Sequence, residues 1–217
     1  MIRNIGIGVV LALCSSQALA DLAGIGRAGF LGGYYDAEFS GGGQAADQSQ
    51  TSMGIFTGYT LASGSFFADL GLEYQSTSNK DGAGFDRTDV LPSVGVFLPG
   101  DFNIQLGYRL GYQGEELFDD TVYRETGPFA GLGLPAFKVT GDYELSPSVG
   151  LNLTEFDFGG FEGDFYGLSL RAAVSRPGSP HTFGARLQRF EDREDGFKFI
   201  EHYLHLFYQV SFAGFTR

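Results

Sequence analysis

The chain has 217 residues, 34 of them glycine, 22 phenylalanine and none tryptophan, and its 26 acidic and 14 basic side chains give a formal net charge of −12. Glycine at more than twice its usual frequency of about 7% argues against a helical bundle, where each interior glycine costs about 1 kcal/mol. The acidic balance argues against nucleic-acid binding, which needs a basic face, and the 43% hydrophobic content argues against global disorder.

Residues 1–20 have the form of a secretory signal peptide: Arg3, a short apolar run over 5–13, and the small-x-small site Ala18-Leu19-Ala20. The run is shorter than the roughly 20 residues of a membrane helix. Cleavage after Ala20 would remove Cys14, the sole cysteine, and leave 21–217 as one domain without thiol chemistry. These features point to an exported envelope protein.

From there a period of two dominates, the signature of strands with one apolar face. The alternation predicts ten strands. Strand 1, near 27–40, is read with Leu31, Gly33, Tyr35, Ala37 and Phe39 on its apolar face. Strand 2, near 51–62, carries Met53, Ile55, Tyr59 and Leu61. Strand 3 carries Phe66, Ala68, Leu70, Leu72 and Tyr74, and strand 4, near 87–98, carries Val90, Val94, Val96 and Leu98. Strand 5 is the clearest, with Phe102, Ile104, Leu106, Tyr108, Leu110 and Tyr112. Strand 6, near 121–134, is weaker; eight strands is the alternative count if it or strand 9 is misread. Strand 7 runs near 137–148, strand 8 near 164–175, strand 9 near 181–190 and strand 10 near 198–212. Tight turns at 62–64, 99–101, 135–136 and 176–180 alternate with longer polar segments near 41–50, 76–86, 114–120, 149–163 and 191–196. One short-turn rim and one long-loop rim is the rhythm of an antiparallel up-and-down β-barrel.

The face opposite the apolar one decides inside from outside. A water-facing exterior would be crowded with Lys and Glu. This face is instead glycine, serine, threonine and glutamine with isolated charges and some phenylalanine, which suits a confined lumen. The apolar face is therefore assigned to lipid, giving an all-β transmembrane barrel.

Leu204, Leu206, Tyr208, Val210 and Phe212 alternate up to an aromatic residue near the C-terminus. This run resembles the C-terminal insertion signal of Gram-negative outer-membrane β-barrel proteins, although five residues follow Phe212 here. The resemblance implies a location in the outer membrane, contact with its lipid and lipopolysaccharide, and delivery by the barrel-assembly machinery. It implies no particular activity.

With the apolar face against lipid, Asp69, Glu73, Asp89, Arg109, Glu125, Lys138, Asp142, Glu144, Arg171 and Arg186 turn inward. Counting from the nearest tight turns places Glu73, Arg109, Asp142, Arg171 and Arg186 at one depth, as a lumen charge network. Buried charges cost several kcal/mol each unless paired, so a salt-bridged plug is expected, with a charged pore constriction as the alternative. Acidic clusters (Glu115, Glu116, Asp119 and Asp120; Glu155, Asp157, Glu162 and Asp164; Glu191, Asp192, Glu194 and Asp195) read as solvated loops, or as divalent-cation sites bridging to lipopolysaccharide.

No catalytic or cofactor motif is present. Of the three histidines, His181 follows a tight turn, and His202 and His205 have opposite parity on strand 10, so a shared metal is not expected. The expectation is a non-enzymatic, cofactor-free barrel with a structural or surface-interaction role. A small-solute channel is the alternative, and a lipid-modifying enzyme a more distant one.

Overall fold

The structure is a computed structural model describing residues 22–41, 44–78, 84–114, 123–158, 161–194 and 197–216. The signal peptide over 1–20 and the acidic run over 115–120 lie outside the described residues.

Eleven strand segments follow in chain order: β1 (Ala23–Gly41), β2 (Gln44–Ser63), β3 (Phe66–Ser78), β4 (Asp86–Leu98), β5 (Phe102–Gly114), β6 (Tyr123–Gly133), β7 (Phe137–Thr140), β8 (Tyr143–Phe158), β9 (Phe161–Ser175), β10 (His181–Glu194) and β11 (Phe197–Thr216). Each pairs antiparallel with its neighbours, β1 pairs with β11, and β6 pairs with β8, so the sheet closes on itself. β6 and β7 are successive pieces of one stave. Ser148 to Asp157 of β8 pair with β6, while Tyr143 to Leu145 pair with β7. The jog at 134–136 is bridged by the Leu134 amide, which donates to the Pro147 carbonyl at 3.0 Å. The barrel therefore has ten staves.

Three expectations need correction. First, the reversal in the strand 7 region is not at 135–136 but at Gly141-Asp142, where Gly141 adopts φ 54°, a left-handed conformation that glycine reaches without strain. Proline at 135 displaces the stave but does not turn it. Second, several segments read as polar loops are strand: 44–50, 149–158, 161–163 and 191–194 continue the ladders, so paired ribbons extend past the apolar belt. Hydrophobic alternation stops there while backbone pairing does not.

Third, strand 1 faces the opposite way. Leu31 and Tyr35 are 4% and 3% exposed in the lumen, with Ala37 beside them, whereas Phe30 and Tyr34 are 59% and 62% exposed on the outside. Aromatic residues occupy both parities of this segment, so its own alternation is ambiguous. Register decides: Phe30 lies opposite Tyr208 and Tyr34 opposite Leu204, both on the outer face of β11. The side chain of Phe39 lies outside the described residues.

Elsewhere the assigned apolar set covers the exterior. Met53, Ile55, Leu70, Leu72, Leu106, Tyr108, Leu168, Leu170, Leu187 and Leu206 are all exposed large hydrophobic side chains, and Leu151 of β8 joins them. A continuous apolar belt of this kind far exceeds the patches a water-facing surface carries, and the barrel is built for lipid on its outside.

Candidate functional site: the lumen

The inward faces of β4, β5 and β6 bring four charges together. Arg87 Nε donates to Asp89 Oδ2 at 2.9 Å, and Arg87 Nη2 donates to Glu125. Arg109 Nε lies 3.2 Å from Asp89 Oδ1, and its Nη1 donates to Glu125 Oε1 at 3.4 Å. Thr154 Oγ1 donates to the same carboxylate at 2.7 Å. All four charged side chains are buried. Two guanidinium groups and two carboxylates compensate each other, as burial requires.

A second pair crosses the lumen. Arg186 on β10 grips Glu73 on β3 through two parallel bonds of 2.7 and 2.5 Å, the strong bidentate arrangement of this ion pair. The Gln75 amide also donates to Glu73. On the long-loop side the ionic cluster meets an aromatic one of Tyr35, Phe165, Phe190 and Tyr203. The Arg109 guanidinium lies 5.1 Å from the Phe190 ring centroid, within cation–π range. The Tyr35 hydroxyl donates to Glu201 Oε1 at 2.8 Å.

The short-turn half of the lumen is emptier. A cavity of about 580 Å³ opens there, lined by residues that include Arg27, Asp69, Phe129, Arg171 and Phe207. Arg27 holds Asp69 bidentately at 2.5 and 2.7 Å.

Of the five charges expected in one network, Glu73 and Arg186 pair directly. Arg109 belongs to the β4–β6 cluster. Arg171 lies opposite Arg186 across the ladder and stacks 4.6 Å from the Phe207 ring centroid, with no carboxylate partner among the described residues. Asp142 is not in the lumen network. It sits in the β7–β8 turn at the rim, 72% exposed, and pairs with Arg176 at 3.0 Å. A depth counted from Pro135-Ala136 puts it mid-barrel, but the chain reverses at Gly141-Asp142. Sequence reasoning missed Arg87, although it shares parity with Asp89 two residues on. It also missed Arg27, which strand 1's inverted parity had turned toward lipid.

His205 is fully buried, with Nε2 3.1 Å from Ser52 Oγ and Nδ1 3.2 Å from Arg186 Nη2. A serine beside a histidine suggests a nucleophile and its base. The tautomer argues otherwise. A guanidinium only donates, so Nδ1 must accept, Nε2 carries the proton, and it donates to Ser52. The ring cannot take the serine proton in this arrangement. His181 lies at the short-turn rim, its Nδ1 2.7 Å from the Tyr208 hydroxyl. Among the described residues, no group of three or more His, Cys, Asp or Glu side chains converges on a metal-sized site.

Leu204, Leu206 and Phe212 of the C-terminal run are exposed on the lipid face, with Tyr208 and Val210 half-buried between them. β11 continues past Phe212 to Thr216, which pairs with Ala23.

No protein-family model matches the sequence, and no curated protein does. Among solved structures, the chain is similar to the beta domain of the Bordetella autotransporter Brka, at 14% identity and TM-score 0.43, over 88% of this chain and 100% of that one. It is similar to the translocator domain of autotransporter NalP from Neisseria meningitidis, at 10% identity and TM-score 0.43, over 95% of each chain. It is also similar to the outer membrane protein OprG from Pseudomonas aeruginosa, at 10% identity and TM-score 0.36, over 91% of this chain and 99% of that one. These likenesses are of barrel architecture. Closed, antiparallel, apolar outside and polar within, the chain has the architecture of a Gram-negative outer-membrane β-barrel.

Proposed function

We propose that the barrel serves as a structural or surface-interaction protein of the outer membrane, with a lumen closed in its long-loop half. The observation that carries this reading is the compensated cluster of Arg87, Asp89, Arg109 and Glu125, buried against aromatic rings and joined from across the lumen by Arg186 and Glu73. Selectivity rings present charges of one sign to the passing ion; here both signs are present and paired. Acidic residues outside the belt, among them Asp36, Glu38, Asp47, Glu155 and Asp164, give the ribbons a negative outer surface. That surface suits divalent cations held between it and lipopolysaccharide phosphates.

Single-channel recording of the refolded chain in a planar bilayer tests the reading. The expected result is a correctly folded but silent barrel. Stable conductance steps that change when Arg109 or Arg186 is neutralised would overturn it in favour of a small-solute channel.

A further inference from the structure

The charges lining the short-turn cavity do not balance. Asp69 is held by Arg27 and Glu73 by Arg186, each through two hydrogen bonds. Arg109 has its carboxylates in the cluster behind it. Arg171 alone among these guanidinium groups has no carboxylate among the described residues, and it stands directly across the ladder from Arg186. Like charges directly opposite one another on a sheet repel, so the pair lacks one negative charge at this point. The guanidinium carbon of Arg171 lies over the Phe207 ring, 4.6 Å from its centroid, and no ion pair of the described residues occupies its donors. Arg171 also lines the cavity, whose volume is about 580 Å³, within the range of small-molecule sites. Phe207 beside it packs with Leu31 and Phe56, and these side chains, with Phe129, supply apolar and aromatic lining to the cavity.

We infer that the short-turn half of the lumen binds a small organic monoanion, its carboxylate on Arg171 and its apolar body against these rings. One excess cation selects one negative charge, and a planar guanidinium edge matches a planar carboxylate bidentately. The short-turn rim of such barrels faces the periplasm, so the ligand enters from that side. The inference stands whether or not the long-loop half conducts.

The test is a titration of the refolded full barrel in detergent micelles with benzoate, followed by amide NMR shifts, with benzyl alcohol as the neutral counterpart. Benzoate should saturate at low millimolar concentration, with shifts concentrated around Gly131, Ser169 and Gln209, and benzyl alcohol should not. Arg171→Gln should weaken binding about tenfold or more, with Arg171→Lys in between. Asp69→Asn releases a second guanidinium into the cavity and should strengthen binding severalfold; this variant keeps the test decisive if Arg171→Gln fails to fold. Benzoate affinity unchanged by both substitutions, equal binding of benzyl alcohol, or no saturation would overturn the inference.

Discussion

Replacing Glu125 by glutamine keeps the shape of the ionic cluster and removes one of its four charges. In the native barrel, Glu125 accepts from Arg87, Arg109 and Thr154, and its side chain is 1% exposed. At the 3.4 Å separation from Arg109, and with an effective dielectric of about 20, one ion-pair contact is worth about 5 kcal/mol in gross attraction. The substitution leaves Arg87 and Arg109 sharing only Asp89, so one buried charge is uncompensated, and breaking a buried pair in this way costs about 3–5 kcal/mol. The double variant Arg87→Gln/Glu125→Gln restores neutrality around the remaining Arg109–Asp89 pair. It should therefore be destabilised by less than the sum of the single changes, with a coupling of at least about 1 kcal/mol. Urea unfolding of the four proteins in lipid vesicles, extrapolated linearly, measures all the terms. If Glu125→Gln were within about 0.5 kcal/mol of the native barrel, the cluster would be solvated. The compensation argument and the closed lumen would then fall together.

Two further outcomes test the orientation and the assembly route. Leu106→Arg and Leu170→Arg place a charge on the outer belt and should cost about 2–4 kcal/mol near the membrane midplane, blocking stable insertion, while Gln105→Arg faces the lumen and should be far milder; equal effects in a heat-modifiability assay would reverse inside and outside. Phe212, whose ring covers Gly26 on the outer face, should on replacement by alanine slow assembly into vesicles carrying the assembly machinery, and removal of 213–217 should slow it less; the opposite ranking would place the recognition signal beyond Phe212.

The barrel was legible because alternation over β3, β5 and β11 is long and unbroken, and the identity of the opposite face distinguishes lipid outside from water outside. What was not legible depended on neighbours. β1 carries large side chains on both parities, and only its register against β11 decides between them. Asp142 lost its place because one stave is made of two pieces, β6 and β7, and proline at 135 looks like a turn from sequence while acting as an offset. The ionic cluster was half visible. Parity alone turns Asp89, Arg109 and Glu125 inward one strand at a time, but their meeting with Arg87 needs the stagger of three adjacent strands.

The same dependence on register explains the composition. Six inward phenylalanines each stand directly opposite a glycine on the next strand: Phe56 opposite Gly29, Phe67 opposite Gly95, Phe129 opposite Gly107, Phe156 opposite Gly163, Phe190 opposite Gly167 and Phe207 opposite Gly184. In every case a Cβ on the glycine would run into the ring. A ring laid over a strand glycine shields backbone that would otherwise be bare, and it pins the pairing. It also lies along the wall instead of projecting across the lumen. That geometry lets a narrow barrel hold so many phenylalanines and still leave room for the long Arg109, Arg171 and Arg186 side chains. At these six positions the glycine and the phenylalanine are one feature. Each of the six glycines is the seat of a ring, and the rings make an apolar wall against which the lumen charges must be paired.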